Sequence, residues 1–289
     1  MSNSINTNTS ASQAVYNMNR AAARQLESLK RLSSGSRLNN TSDDSGAAAV
    51  SVRNGSALIR VDAVDSNIMN ALSFLQSQAS GLHQMGELLG RMSDLATQMV
   101  DSTKTSSDLD NYLAEFNALR EQMGSVLEQK YNGLDLFKFQ GAGTALTVYL
   151  DDAGTRSLNV SQSDFSLNSG WGSLLGTAKP YTGTPGATDT VANLVDENVW
   201  GNSSFRLMID DLASLSATNG AEQTRLIYAL DAVRSNRVTL SQATSRATDT
   251  DVAAESTTMS RSTILLQSGA NVLTKANEAD QVLLKILGA

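Results

Sequence analysis

Apolar residues recur through residues 11–32 as Val15, Met18, Ala22, Leu26, Leu29 and Leu32, at steps of three or four, which predicts an amphipathic helix. Gly35, at the end of Arg31-Leu32-Ser33-Ser34-Gly35, marks its stop, because glycine takes the left-handed conformation that closes many helices. The polar run Asn39 to Gly46 supplies turn and capping groups before a longer pattern. From Val61 the apolar or small positions continue as Val64, Ile68, Leu72, Leu75, Ala79, Leu82, Met85, Leu89, Met92, Ala96 and Met99. A helix from Ala47 to Val100 with so narrow a stripe is about 80 Å long and needs a partner of comparable length, as in a coiled coil.

After a polar break at Asp101 to Asp108, Leu109, Tyr112, Phe116, Leu119, Met123 and Val126 predict a helix running back against the long one, with Tyr131-Asn132-Gly133 as a stop. The period then falls to two. Leu146, Val148 and Leu150 alternate with Ala145, Thr147 and Tyr149, Asp151 to Gly154 offers a turn, and Leu158 and Val160 follow, which predicts a β-hairpin. Residues 166–203 carry both prolines, Pro180 and Pro185, and read as a small irregular insertion with a short helical piece near Val191 to Val195. Another helix places Leu226, Leu230, Val233, Arg237, Leu240, Thr244 and Ala247 on one face. A last one, over 251–287, carries Met259, Leu265, Leu266, Val272, Leu273, Leu283, Leu284, Ile286 and Leu287. The fold class expected is mainly α, with long antiparallel coiled-coil-like helices, paired terminal helices, a β-hairpin and a small irregular central insertion.

Composition narrows the chemistry. The 289 residues contain no cysteine and one histidine, which removes disulfides, thiolate chemistry and most zinc sites. A net charge of −7 argues against nucleic-acid binding through a broad basic surface. No apolar run approaches the length of a membrane-spanning helix, and the first twenty residues have no basic leader followed by an apolar core, so export is expected to use another route than a cleaved signal peptide. No phosphate-cradling glycine loop is present, and no cofactor and no enzymatic activity are expected.

Ile5-Asn6-Thr7-Asn8, Arg31 to Gly35 with Arg37-Leu38-Asn39 and Asp43-Asp44, and at the other end the spaced set from Asp249 to Asn277, together give both ends of the chain a resemblance to bacterial flagellin. Ile5-Asn6-Thr7-Asn8 is similar to the family's opening, and Arg31 to Gly35 with Arg37-Leu38-Asn39 and Asp43-Asp44 is similar to its N-terminal signature. Tyr131-Asn132-Gly133 with Leu136 resembles the stretch closing the family's second N-terminal helix. Asp249, Asp251, Glu255, Arg261, Leu265, Gln267, Gly269, Leu273, Ala276 and Asn277 match its C-terminal signature. The resemblance covers residues 1–137 and 220–289 and leaves the middle unmatched. It implies an extracellular structural subunit that leaves through the flagellar type III export channel and polymerises with copies of itself into the flagellar filament for motility. It also implies a flagellar export chaperone, a distal cap and hook-filament junction proteins as partners, without nucleic acid or membrane insertion. The implied organisation is residues 1–40 and 251–289 as halves of an inner helical domain, 41–165 and 204–250 as a helical shell with the hairpin, and 166–203 as a variable surface insertion.

The expected subunit-interface residues are the terminal stripes, Val15, Met18, Leu26 and Leu29 with Leu266, Leu273, Leu283 and Leu287, against the alternative of an ordinary intramolecular core. Arg31, Asp43, Asp44 and Arg261 join them as ion-pairing or capping residues, against the alternative of solvated surface charges that contribute little. The adjacent carboxylates Asp43 and Asp44 do not suit glycoside hydrolysis, which needs two carboxyls facing across a substrate. His83 reads as a surface or interface residue, and Asp249 and Asp251 lack the further ligands of a calcium loop. In flagellins that an animal innate receptor recognises, a Leu-Gln-Arg-Val-Arg-Glu-Leu stretch makes a key contact. The run Leu89 to Leu95 keeps Arg91 and Leu95 of it but has Ser93 in place of the second arginine's planar fork, so receptor activation is not expected. Hydroxyl-rich stretches of the middle are open to O-linked sugars or to none. A hook-filament junction protein and an intracellular coiled-coil adaptor stand as alternatives to the filament subunit.

Overall fold

The computed structural model describes residues 8–99, 101–138, 145–165, 171, 174 and 202–287, with backbone alone at 202–204, 280 and 283–287. The chain is mainly helical and divides into two compact units, residues 1–59 with 238–289, and residues 60–237. The helical piece expected near Val191 to Val195 lies outside the described residues, as does most of 166–203.

The first unit is built on α1 (Thr9–Ser34) and α5 (Val252–Leu287). Asn8 starts α1 by accepting the Ala11 N–H on its side chain at 2.7 Å, and Gly35 closes it with φ of 68°. The two helices run antiparallel: the Asn8 amide donates to the Ala276 carbonyl at 3.2 Å, and near the other end an Arg31 nitrogen stands 3.7 Å from Glu255 Oε2. Their shared seam keeps a strict three-four spacing. On α1 it is Ala11, Ala14, Met18, Ala21, Gln25, Ser28 and Leu32; on α5 it is Glu255, Met259, Ser262, Leu266, Gly269, Leu273 and Ala276, every one buried or half-buried. Half of these side chains are small, and small contact residues let helix axes come close. A Cβ added at Gly269 would stand 3.1 Å from Met18 Cγ, so this glycine is a fitted hole for Met18.

Beyond the seam, the segment after α1 and the one before α5 are stitched together. Arg37 N–H donates to the Thr248 carbonyl at 2.6 Å, Thr250 N–H to the Gly35 carbonyl at 3.0 Å, and the Ser36 hydroxyl to Thr248 at 3.2 Å. Ser36 and Asp249 form an isolated antiparallel bridge. The turn and capping residues of two remote sequence stretches thus make one clasp.

The second unit packs three helices. These are the part of α2 (Ser45–Met99) from Arg60 onward, α3 (Ser106–Leu127), and α4 (Asn202–Thr248) as far as Arg237. Asp62 pairs with Arg237 at 2.8 Å and Asp65 with Arg234 at 2.9 Å, which fixes α2 and α4 as antiparallel. Val61, Val64, Ile68, Ala71, Leu75, Leu82, Met85, Leu89, Met92, Leu95 and Met99 form the buried stripe of α2, facing Met208, Leu212, Leu226, Leu230 and Val233 of α4 and Phe116, Met123 and Val126 of α3. Each fully buried side chain of this size contributes about 1.5–3 kcal/mol. The methionines fill irregular gaps where helices of unequal length converge. Phe116 and Phe205 meet edge to face with centroids 6.4 Å apart, joining α3 to α4.

A Thr105–Asp108 capping box starts α3. Tyr131-Asn132-Gly133, expected as a helix stop, is instead the turn between β1 (Lys130–Tyr131) and β2 (Leu134–Asp135), three residues past the end of α3. Asn132 and Gly133 both have positive φ, 51° and 81°, which matches the right-handed twist of a two-residue hairpin. Next, β3 (Phe137–Lys138) pairs in parallel with β6 (Ser163–Asp164). The expected hairpin forms between β4 (Leu146–Tyr149) and β5 (Ser157–Val160), with Val148 opposite Leu158. Its buried positions are Val148, Leu158 and Val160, the inward half of the alternation. Phe137 and Phe165 meet with tilted rings 5.9 Å apart, Phe165 and Trp171 meet edge to face at 4.8 Å, and the Trp171 indole donates to Asp211 Oδ2 of α4 at 2.8 Å.

Candidate assembly surface

The α1/α5 pair fills its seam with small residues alternating with Met18, Leu32, Met259, Leu266 and Leu273, and leaves other large apolar residues outward. Leu26 is 60% exposed, Leu29 52% and Val15 39%. Leu29 follows Leu26 by three residues, and Val15 precedes it by three helical turns, so the three lie on one side of α1. On α5, Ile264, Leu265 and Val272 are exposed, Leu265 and Val272 at heptad spacing. The inner seam is already filled, so these side chains have no partner within the pair. Apolar residues aligned in this way on both members form the candidate assembly surface.

The residues expected at the interface fall into distinct places. Val15, Leu26 and Leu29 stand outward. Met18, Leu266 and Leu273 are half-buried in the α1/α5 seam itself, the intramolecular alternative for those positions. The backbone of Leu283 and Leu287 belongs to α5, and their side chains lie outside the described residues. Arg31 reaches Glu27 on its own helix and Glu255 on α5. Asp43 accepts the Asn40 N–H at 3.0 Å, and Asp44 accepts that of Ala47 at 2.9 Å while standing 3.8 Å from Arg37. The two acids therefore shape the turn into α2. Arg261 is exposed on α5.

On α2, Leu95 is fully buried in the helical core and offers no side chain to a receptor. Arg91 is on the surface, held by Glu115 of α3 at 2.7 Å and Asp94 at 3.0 Å, and its hydrogen bond to Glu115 raises its affinity for its proton further. His83 is exposed, 3.8 Å from Glu87. Asp251 is engaged as the cap of α5, accepting the Ala253 and Ala254 N–H groups, and Asp249 accepts the Thr248 hydroxyl. Among the described residues no group of three or more His, Asp or Glu is placed to hold a metal ion, and no helix is long and apolar enough to cross a membrane. The sequence reading missed the small-residue seam. Its signal was the unbroken three-four spacing of Ala11, Ala14, Met18, Ala21, Gln25, Ser28 and Leu32, hidden because Gln25 and Ser28 are polar and three of the others are only alanine.

A long helical scaffold, paired chain ends and outward apolar stripes are the features of a mainly helical structural protein. Comparison with known families is specific at both ends: the bacterial flagellin N-terminal helical region matches residues 5–142, and the C-terminal helical region matches residues 207–287. The chain belongs to the bacterial flagellin family. It is 26% identical to a flagellin of Listeria monocytogenes over 265 residues, covering 90% of this chain and 91% of the relative. It is 24% identical to the flagellar filament 33 kDa core protein of Treponema phagedenis, covering 98% and 99%. In fold it is similar to a Vibrio parahaemolyticus protein assigned to the flagellar hook-associated proteins, with a TM-score of 0.55 at 16% identity, covering 72% of this chain and all of that one.

Proposed function

We propose that this chain is the repeating structural subunit of an extracellular flagellar filament, without a reaction of its own, that polymerises with copies of itself. The observation that carries the reading is the outward placement of Val15, Leu26 and Leu29 on α1 and of Ile264, Leu265 and Val272 on α5, on a pair whose inner seam is full. Burying those side chains against neighbouring copies supplies the hydrophobic drive for assembly. A heterologous contact of this kind repeats without closing and so builds an open helical polymer. Export through the flagellar type III channel, a chaperone that covers the terminal helices beforehand, a distal cap and junction proteins are the partners such a subunit needs.

Electron microscopy of the purified chain before and after adding short filament seeds and a precipitating salt tests the reading, alongside a chain ending at residue 250. Long filaments from the full chain and none from the shortened one support it. A ring or other oligomer of fixed size supports instead a hook-filament junction protein, a reading favoured by the fold shared with the Vibrio parahaemolyticus protein. Persistent monomers, with no secretion by the flagellar route, support the adaptor reading.

A further inference from the structure

Of the methionines whose side chains are described, Met69 alone is exposed, at 42%; Met85, Met92, Met99, Met123 and Met208 are buried, and Met18 and Met259 are half-buried in the α1/α5 seam. Met69 also sits at the end of an interhelical ladder. Along one side of α2, Asp62 pairs with Arg237 at 2.8 Å and Asp65 with Arg234 at 2.9 Å. Met69 follows Asp65 by one helical turn, and its Sδ lies 3.9 Å from Arg234 Nη2. Arg234 uses Nε for Asp65, so Nη2 meets at Met69 only a thioether, a weak acceptor.

We propose that Met69 is a site of oxidation whose sulfoxide is held by Arg234. The oxidant is a peroxide. A sulfur lone pair attacks one peroxide oxygen, the S–O bond forms as the O–O bond breaks, and the departing hydroxide takes the proton left on the transferred oxygen and leaves as water. Sulfur is oxidised by two electrons and the peroxide is reduced by two. The sulfoxide oxygen is a strong acceptor, and Arg234 Nη2 donates to it while Nε keeps Asp65, so the ladder gains a third rung. Oxidation usually loosens a protein by placing a polar group among apolar ones. Here the new oxygen meets a donor at the surface instead.

The test is hydrogen peroxide titrated against the full folded chain, with sulfoxide quantified for each methionine by peptide mass spectrometry. Met69 is expected to oxidise about tenfold or more faster than the buried methionines, and this selectivity is expected to vanish in denaturant. Equal rates in the folded chain, or Met18 or Met259 ahead of Met69, overturn the assignment. The role of Arg234 is read by hydrogen exchange of the α2 amides around Met69, before and after oxidation, in the parent chain and in Arg234→Ala. Arg234 is half exposed, so its removal spares the core. Oxidation is expected to slow exchange about twofold in the parent and to leave Arg234→Ala unchanged or faster. Faster exchange in the oxidised parent, or the same response in both chains, overturns capture by Arg234.

Discussion

The Asn219 side-chain amide donates to Gln78 Oε1 at 2.6 Å, joining two polar residues that are each almost fully buried between α4 and α2. Asn219 also donates to the Leu75 carbonyl at 3.1 Å and accepts from the Gln223 amide, while Gln78 donates to the Leu136 carbonyl at 2.8 Å. The network ties both helices to the short strands and leaves neither amide unpaired. A one-residue slip of α2 against α4 would strand these groups in an apolar core, so the pair specifies register.

Asn219→Ala removes the centre of that network and leaves Gln78 Oε1 without its donor. The expected loss is about 1–3 kcal/mol, read by denaturant unfolding of the full chain. Replacing both residues, Gln78→Leu with Asn219→Leu, is expected to cost less than the two single changes added, because no orphaned amide remains.

Gly81→Ala tests the closest approach of a helix to the strands. A Cβ at Gly81 would stand 2.5 Å from Phe137 Cζ and 2.8 Å from Cε2, and Phe137 is buried against Phe165 with nowhere to move. Alanine ordinarily favours a helix over glycine by about 1 kcal/mol, and overpacking of about 1–3 kcal/mol outweighs that gain. A lower thermal midpoint is expected for Gly81→Ala. Gly90→Ala, with open space around it, is expected to raise it.

The first turn of α3 is expected to open in acid. The Thr105 hydroxyl and N–H hydrogen-bond the Asp108 carboxylate and hold its pKa below the usual aspartate range. A depressed carboxyl stabilises the fold fully above its unfolded pKa, near 3.9, and that contribution fades as pH falls through the lower folded value. Hydrogen exchange at Asp108 and Leu109 is therefore expected to gain less protection from the fold below about pH 4. Asp108→Ala is expected to remove this pH dependence. Glu222 has the opposite sign: burial raises its pKa against the hydrogen bond from Ser161, so its neutral form is preferred and its contribution grows as pH falls through the raised value.

Leu26→Ser with Leu29→Ser separates folding from assembly. Both side chains are more than half exposed, so each change is expected to alter monomer stability by no more than about 0.5 kcal/mol. Growth from filament seeds, followed by light scattering and microscopy, is expected to stop. A chain that still elongates at the parental rate would show that this face of α1 is not the contact.

Where local chemistry decides, the sequence was sufficient. Gly35 closes α1, the 146–160 alternation forms its hairpin, and the stripe from Val61 to Met99 is one helix. The errors lie where long-range packing overrides pattern. The stripe of α2 was drawn through Leu72 and Ala79, yet Ala71, Phe74 and Gln78 are the buried positions, because a glutamine satisfied by two other elements is a core residue that periodicity counts as polar. The first half of α4, with Ser214, Ser216, Thr218 and Gly220, has little intrinsic preference for helix and is helical because Phe205, Met208 and Leu212 are buried. The parallel pairing of β3 with β6 leaves no local signal. On the terminal helices the large residues were the obvious choice for contact, and the structure divides them, with Met18 inward and Leu26 outward.

The clasp of Gly35, Ser36 and Arg37 with Thr248 and Thr250, and the α1/α5 seam beyond it, join the most distant parts of the sequence; Asn8 and Ala276 are 268 positions apart. Closing so long a loop costs entropy before any contact repays it. Pairing of α2 with α4 at Asp62–Arg237 shortens that loop, so the terminal helices are expected to zip last, once residues 60–237 have folded. The same order runs in reverse under stress. A newly made chain is therefore expected to pass through a period in which α1 and α5 are unpaired while α2 and α4 have already met, and the lifetime of that period is expected to set its tendency to aggregate.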